Sequence, residues 1–440
     1  MHTTDARRRS LYWRIHFWAA LIATPFALVA ALTGIVYIFT PQIEAALYGH
    51  LDHVAVRGPT RALDEVVAAA DAAAPAGMRL QSVQPPAAST DSVKLLYAPA
   101  EAIDEHAGHA GMAAPKRPRF GPPGDGVVVH VDPYSLSVLG TLAVKDRFNV
   151  WAKRLHSRLL QGTGWRWMIE LAASWLMVML VTGVALWWPR AGQRGLPQAG
   201  ARGRKAWRQW HGFLGVALGL ISAVILTTGL TWSEQAGKQI RVLRDLSGQG
   251  PAPAPGHLMS APAQGMPALD WQGAWDAARR EAPAVAMQLT APTMPHGVWR
   301  ATAVDRSLPL RRFDLALDAF SGARLYYAGW DGDTAFGKAT NVGIPFHRGE
   351  FGWWNQALLL VFGLGIVFSI VSGWVMFFKR RKRGVAWLPP LLPGAWRAAS
   401  PVAWLTALGM CALMPLLAAS AALLVVVELV FARGGRRMPS

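Results

Sequence analysis

The chain has 440 residues, 52 % of them hydrophobic and only 16 % charged, with a mean hydropathy of +0.23, a balance too apolar for an ordinary soluble protein and suited to a membrane protein. Its net charge of +18 is spread in short basic runs beside apolar segments, so nucleic acid is not an expected partner. The single cysteine, Cys411, excludes intramolecular disulfides and any cysteine-based zinc or iron-sulfur centre.

In chain order, a basic cytoplasmic N-terminus (1–11) with Arg7, Arg8 and Arg9 precedes a first apolar span at 12–39. That span is too long for a cleaved secretory signal and lacks a clear small-residue cleavage site, so it reads as an uncleaved anchor. Further spans are predicted at 165–188, 208–232 and 352–378, each long enough at ~1.5 Å per residue to cross a ~30 Å hydrocarbon core. Tryptophans cluster at their ends, as at Trp187 and Trp188 or Trp353 and Trp354, where an amphipathic ring suits the membrane interface. Basic loops at 189–207 and 379–400 mark the cytoplasmic side by the positive-inside rule. A fifth span is expected at 401–431, with Pro401 and Pro415 allowing it to bend or re-enter, followed by a tail at 432–440.

The segments 40–164 and 233–351 then face the outer compartment, and they look alike. Each opens with a short helix, Arg61 to Ala74 in one and Trp271 to Glu281 in the other. Each closes as strand, tight turn, strand: Val127 to Val131, Asp132-Pro-Tyr134, then Val138 onward, and Phe313 to Leu317, Asp318-Ala-Phe-Ser321-Gly322, then Leu325 onward.

Four histidines repeat with the same regularity. His16 and His211 each lie 18 residues before a glycine, Gly34 and Gly229, which follows a threonine; His156 and His347 lie 27 and 26 residues before Gly183 in Val-Thr-Gly and Gly373 in Val-Ser-Gly. The two copies are offset by 195 and 191 residues, which points to duplication of one helix, extramembrane segment, helix unit. Topology puts His16 with His211 at the inner face and His156 with His347 at the outer face. Two histidines from neighbouring helices can clamp one heme iron, so the pairs predict two sites, one above the other. The outer pair requires the stretch from His156 to Trp165 to fold back toward the bundle.

The turn after Asp132 and Asp318 resembles the end of a PepSY domain. Together with Arg14-Ile-His16-Phe-Trp, Leu155-His156-Ser-Arg, Trp210-His211-Gly-Phe and Pro345-Phe-His347-Arg-Gly-Glu, the whole order up to about residue 385 resembles the PepSY-associated transmembrane family. The resemblance implies an α-helical integral membrane bundle, four core spans plus a fifth, bearing two periplasmic α+β PepSY-like domains. It also implies an inner-membrane oxidoreductase with two bis-histidine b-type hemes, ligated by His16, His211, His156 and His347, that reduces a ferric siderophore or other ferric chelate. Two alternatives are a membrane-anchored PepSY module that binds a partner protein or restrains a protease, and a metal permease; the first leaves the recurring histidines unexplained, and the second lacks polar residues through the spans.

Three smaller features complete the reading. Glu170, five residues into the second span, is expected to relay a proton or hydrogen-bond a heme propionate, or else to snorkel or pair with Arg166; Glu428 poses the same question. His106, His109 and Met112 form a metal-capturing candidate in an outer loop. No glycine-rich dinucleotide fingerprint follows a predicted strand, so a separate cytoplasmic reductase or membrane quinol is the implied electron donor, and membrane lipid the surrounding partner.

Overall fold

A computed structural model describes residues 2–99, 125–188, 196–251, 255, 258–261, 266–380 and 388–434. The loop candidates His106, His109 and Met112 lie outside the described residues. The chain forms two compact units: a helical one from Met1–Ile38, Lys153–Gly248 and Phe346–Ser440, and a mixed one from Phe39–Ala152 and Gln249–Pro345.

Among the described residues, the helical unit contains three helices long and apolar enough to cross a membrane: α1 (His2–Ile38), α5 (Trp167–Trp187, extended at its start by a 3-10 turn) and α11 (Trp353–Arg380). The span expected at 208–232 falls on a bent pair, α6 (Gly203–Ala217) and α7 (Gly219–Thr231), which meet at 59° around Leu218 and together are long and apolar enough to count as a fourth. Leu218 seats against Gly365 of α11, where any Cβ would collide with it, so the bend is held by packing. Residues 401–431 also depart from a single span. They form α12 (Pro401–Leu413) and α13 (Pro415–Gly434), broken at Met414 because Pro415 lacks an N–H and its ring clashes with the preceding turn.

Small side chains let these helices approach. Ala19, Ala23 and Ala27 recur every fourth residue on α1, are at most 1 % exposed, and pack with Ala172, Trp175 and Leu176 of α5. The C-terminal helices are tied on by polar contacts: Glu428 accepts both Arg14 Nε (2.7 Å) and Nη2 (2.8 Å) and the Trp18 indole N–H, and Trp175 Nε1 donates to Ser420 Oγ at 3.0 Å.

In the mixed unit, the two outer segments do not make two separate domains. Each contributes four antiparallel strands, β1 (Met78–Gln84), β2 (Val93–Pro99), β3 (Val127–Val131) and β4 (Val138–Ala143) from one, β5 (Met287–Thr290), β6 (Val298–Ala303), β7 (Phe313–Asp318) and β8 (Arg324–Gly329) from the other. Edge strands β1 and β5 pair at Val83 and Leu289 to give one sheet of order β4-β3-β2-β1-β5-β6-β7-β8. Both residues of that joint are fully buried, under a layer made by α3 (Leu63–Asp71) and its counterpart α9 (Trp271–Glu281). A half-sheet with one apolar face and an open apolar edge is stabilised by pairing with its copy.

The repeated turn has one physical basis. Asp132 accepts from the N–H groups of Tyr134 (2.8 Å) and Ser135, and Asp318 from those of Phe320 (3.0 Å) and Ser321 (2.9 Å). The chain then turns through a left-handed residue, Leu136 in one copy and Gly322 in the other.

Candidate functional site

All four repeated histidines lie in the helical unit, and each faces a different helix from its own. His16 on α1 points its Nδ1 at Thr182 Oγ1 of α5 (3.0 Å). His211 on α6 points its Nδ1 at Ser372 Oγ of α11 (2.8 Å). His156 lies on α4 (Phe148–Arg158), with its Nδ1 at Thr33 Oγ1 of α1 (3.1 Å), and His347 lies on α10 (Ala335–Arg348), with its Nδ1 at Thr228 Oγ1 of α7 (3.0 Å). The hydroxyl residues are those of the Thr-Gly and Ser-Gly landmarks. Constant histidine-to-glycine intervals mark these dipeptides as repeat features, but spacing does not show that each meets a histidine from another helix.

The fold-back that the outer pair requires is present. After α4 the chain reverses through Leu159 and Leu160, both left-handed (φ 52° and 62°), before the 3-10 turn Thr163–Arg166 leads into α5. His156 is thereby returned to Thr33 and Gly34 of α1.

Pairing across the repeat is direct for the first couple. The rings of His16 and His211 have centroids 6.4 Å apart and planes at 85°. His347 is near enough to be felt electrostatically at His156; burial first, and then His347, push the His156 imidazole down to about 4. Burial likewise lowers His347 to about 4, so both rings are neutral at pH 7 and each offers a ring lone pair. Among the described residues, none of the four Nε2 atoms has a hydrogen-bond partner. A metal bonded at ~2.0 Å to each of two facing imidazole nitrogens would hold their ring centroids roughly 6 Å apart, close to the spacing of the first pair. Along α1, His16 and Thr33, the partner of His156, are 17 residues or ~25 Å apart.

Four glycines on α6, α7 and α11 are packing positions. A Cβ would meet Trp187 at Gly212 (2.9 Å), Ile35 at Gly363 (2.8 Å) and Leu180 at Gly219 (3.6 Å), and would collide with Leu218 at Gly365. Gly215, one turn beyond His211 on the same face, has open space beside it.

Glu170 is 1 % exposed, and its oxygens accept the backbone N–H groups of Gln235 (3.0 Å) and Ala236 (2.8 Å) at the start of α8 (Gln235–Leu246). The carboxylate therefore caps a helix, where a negative group is favoured by the unpaired N–H groups and the helix dipole. The alternative partner Arg166 donates to the Trp232 carbonyl (2.7 Å). Other histidines go elsewhere: His53 approaches Asp91 (3.6 Å), and His130 is buried in β3 with Nδ1 3.6 Å from Asp52. Among the described residues no cluster of three or more His, Cys, Asp or Glu side chains is arranged for a bare metal ion.

Apolar helices of spanning length, an antiparallel sheet unit interrupting them, and histidines duplicated at matching helix positions define a membrane protein built on an internal repeat. The family described as PepSY-associated TM region matches residues 13–380, and the chain belongs to it. The match ends with α11, so α12 and α13 are additions to the family region. No curated protein matches the chain.

Proposed function

We propose that this protein carries electrons across the bacterial inner membrane through two b-type hemes and reduces a ferric siderophore or other ferric chelate on the periplasmic side. The observation that carries the reading is the His16–His211 pair: two imidazoles from different helices, 6.4 Å between centroids, each with its Nδ1 turned to a hydroxyl and, among the described residues, no hydrogen-bond partner for its Nε2. Two protein ligands suit heme iron, whose remaining four come from the macrocycle, and the lack of larger ligand clusters among the described residues agrees with that donor set. His156 and His347 would hold the second group in the same way.

When bound, the hemes supply one-electron iron couples. His16 with His211 and His156 with His347 would hold the two groups, each pair being contributed by different helices of the helical unit. Arg7 to Arg9 and the basic run from Arg202 to Arg208 favour a cytoplasmic location for the His16–His211 end. A cytoplasmic reductase or membrane quinol would be the electron donor, and the ferric ion of the chelate at the outer face the acceptor. Oxygen-rich chelators hold the softer ferrous ion less tightly, so reduction releases the metal. The ferric substrate is the class that the family resemblance implies.

The test is a pyridine hemochrome spectrum of the full chain purified in detergent from heme-replete cells. Two hemes b per chain are expected, re-oxidised on addition of a ferric chelate; a colourless preparation overturns the reading.

A further inference from the structure

The four hydroxyl-glycine dipeptides are left over once the histidines are given their role, and each stands in the same relation to a ring. In every case the hydroxyl proton has a claimant on its own helix: Thr182 donates to the Val178 carbonyl (2.7 Å), Thr33 to Val29 (2.7 Å), Thr228 to Val224 (2.8 Å) and Ser372 to Ser369 (3.1 Å). A hydroxyl whose proton is committed to a carbonyl meets the ring with its lone pairs. His347 Nδ1 also lies 3.0 Å from the Ile225 carbonyl, an atom that can only accept. The carbonyls of Met179, Ala30 and Ser369 stand in the same place, three residues before the hydroxyl, for His16, His156 and His211.

An Nδ1 surrounded by acceptors carries the proton, and in a neutral imidazole that leaves the lone pair on Nε2. The glycine completes the fit. A Cβ at Gly34, Gly183 or Gly229 would lie 3.3, 3.3 and 3.2 Å from Cε1 of His156, His16 and His347, whereas at Gly373 it would be 3.9 Å from His211 Cε1. Three rings therefore rest on helix backbone that only glycine leaves bare, and the fourth has room to spare.

We propose that Thr33–Gly34, Thr182–Gly183, Thr228–Gly229 and Ser372 are positioning elements: the four hydroxyl residues lock the histidines opposite them as the Nδ1–H tautomer, and the three glycines seat the rings of His156, His16 and His347, so that Nε2 is the ligating atom. What Nε2 binds rests on the di-heme reading; the tautomer and the seating do not. The arrangement is reciprocal along α1, which supplies His16 to one site and the seat for His156 to the other. A hydrogen bond from Nδ1–H to an acceptor raises ligand basicity, which favours ferric over ferrous iron, and its loss commonly weakens binding ten- to a hundred-fold.

The test uses the full chain in detergent, with both midpoint potentials and the EPR spectrum of each centre recorded. Thr182→Val should raise the midpoint of one center alone and weaken its heme retention, Thr182→Ser should restore both, and Thr228→Val should act on the other centre. Gly183→Ala should disturb the EPR signature while Gly373→Ala leaves it unchanged. Heme-loaded Thr182→Val and Gly183→Ala variants with wild-type potentials and spectra would overturn the proposal. A 15N spectrum of the histidine-labelled protein, taken under reducing conditions and with the signals of His16, His156, His211 and His347 among the twelve histidines assigned by their loss in single His→Gln variants, reads the tautomer: those four rings should carry the proton on Nδ1, and protonated Nε2 atoms on them would refute the assignment. A preparation without heme but with Nδ1 protonated would sink the electron-transfer reading and leave this one standing.

Discussion

Asp64 and Gln272, 208 residues apart in sequence, cap each other's helices. The Asp64 carboxylate accepts the N–H groups of Trp271 and Gln272 (both 3.0 Å) at the start of α9, and Gln272 Oε1 accepts the N–H of Leu63 (2.9 Å) at the start of α3. Each helix thus has one or two of its first-turn donors satisfied from the other half of the duplication. Asp64→Ala should cost the mixed unit about 1–2 kcal/mol and Gln272→Ala about 1 kcal/mol, by analogy with other N-terminal caps. Because the caps are reciprocal, a double-mutant cycle read by thermal unfolding should show coupling between the two sites. Strict additivity would mean that the two halves are stabilised independently.

If His16 and His211 form one ligand pair and His156 and His347 the other, as proposed, heme loss should follow that grouping. His16→Ala and His211→Ala should each leave about one heme per chain with the same remaining midpoint potential, and His156→Ala and His347→Ala should leave the complementary one. Optical redox titration of the four variants checks this. If His16→Ala and His156→Ala retained the same remaining centre, the pairing would be wrong.

The periodic, local features of this fold can be read from its sequence. The four histidine intervals, the Trp271–Glu281 helix and the Asp-initiated turns at Asp132 and Asp318 all follow from spacing and side-chain chemistry within a few residues. What escapes such reading is contact between distant segments. Val83 and Leu289 look like ordinary strand residues until the two edges meet, and Asp64 and Gln272 look like surface polar groups until each finds the other's helix. The bend at Leu218 has no proline to announce it and depends on the gap left by Gly365 on another helix. Conversely, the break before Pro415 has a local cause, and it falls where proline chemistry puts it.

Glu170 raised the expectation of a proton relay because a carboxylate inside a span is costly, yet both of its oxygens are engaged by the α8 backbone. Removing it leaves two N–H groups unsatisfied, at a cost of about 1–3 kcal/mol. Glu170→Ala and Glu170→Gln should therefore lower the melting temperature of the detergent-solubilised protein, glutamine included, since its amide can satisfy at most one of the two donors. Electron-transfer rate per bound heme, and its pH profile, should stay at wild-type values. An unchanged melting temperature with a shifted pH profile would restore the relay role.

His130 gives the mixed unit a pH dependence whose sign is determined by burial. The ring is fully buried in β3, with Asp52 of α2 (Thr40–Asp52), Lys94 of β2 and Arg147 around it. Burial lowers its pKa from 6.5 to about 4, against the opposing pull of Asp52 and with the help of Arg147 and Lys94. The unfolded chain therefore binds the proton more readily than the folded one between those values, and stability rises with pH across that window. The contribution is complete above pH 6.5 and is lost progressively as the pH falls toward 4, by up to about 3 kcal/mol. Asp52, held below the usual carboxylate range by Lys94 and Arg147 despite its burial, stays charged over most of the same window and does not reverse the sign. Thermal unfolding followed by circular dichroism in the sheet region should show a drop from pH 7 to pH 5 that is larger for the wild type than for His130→Leu. Equal drops for the two proteins would place the proton uptake at another group.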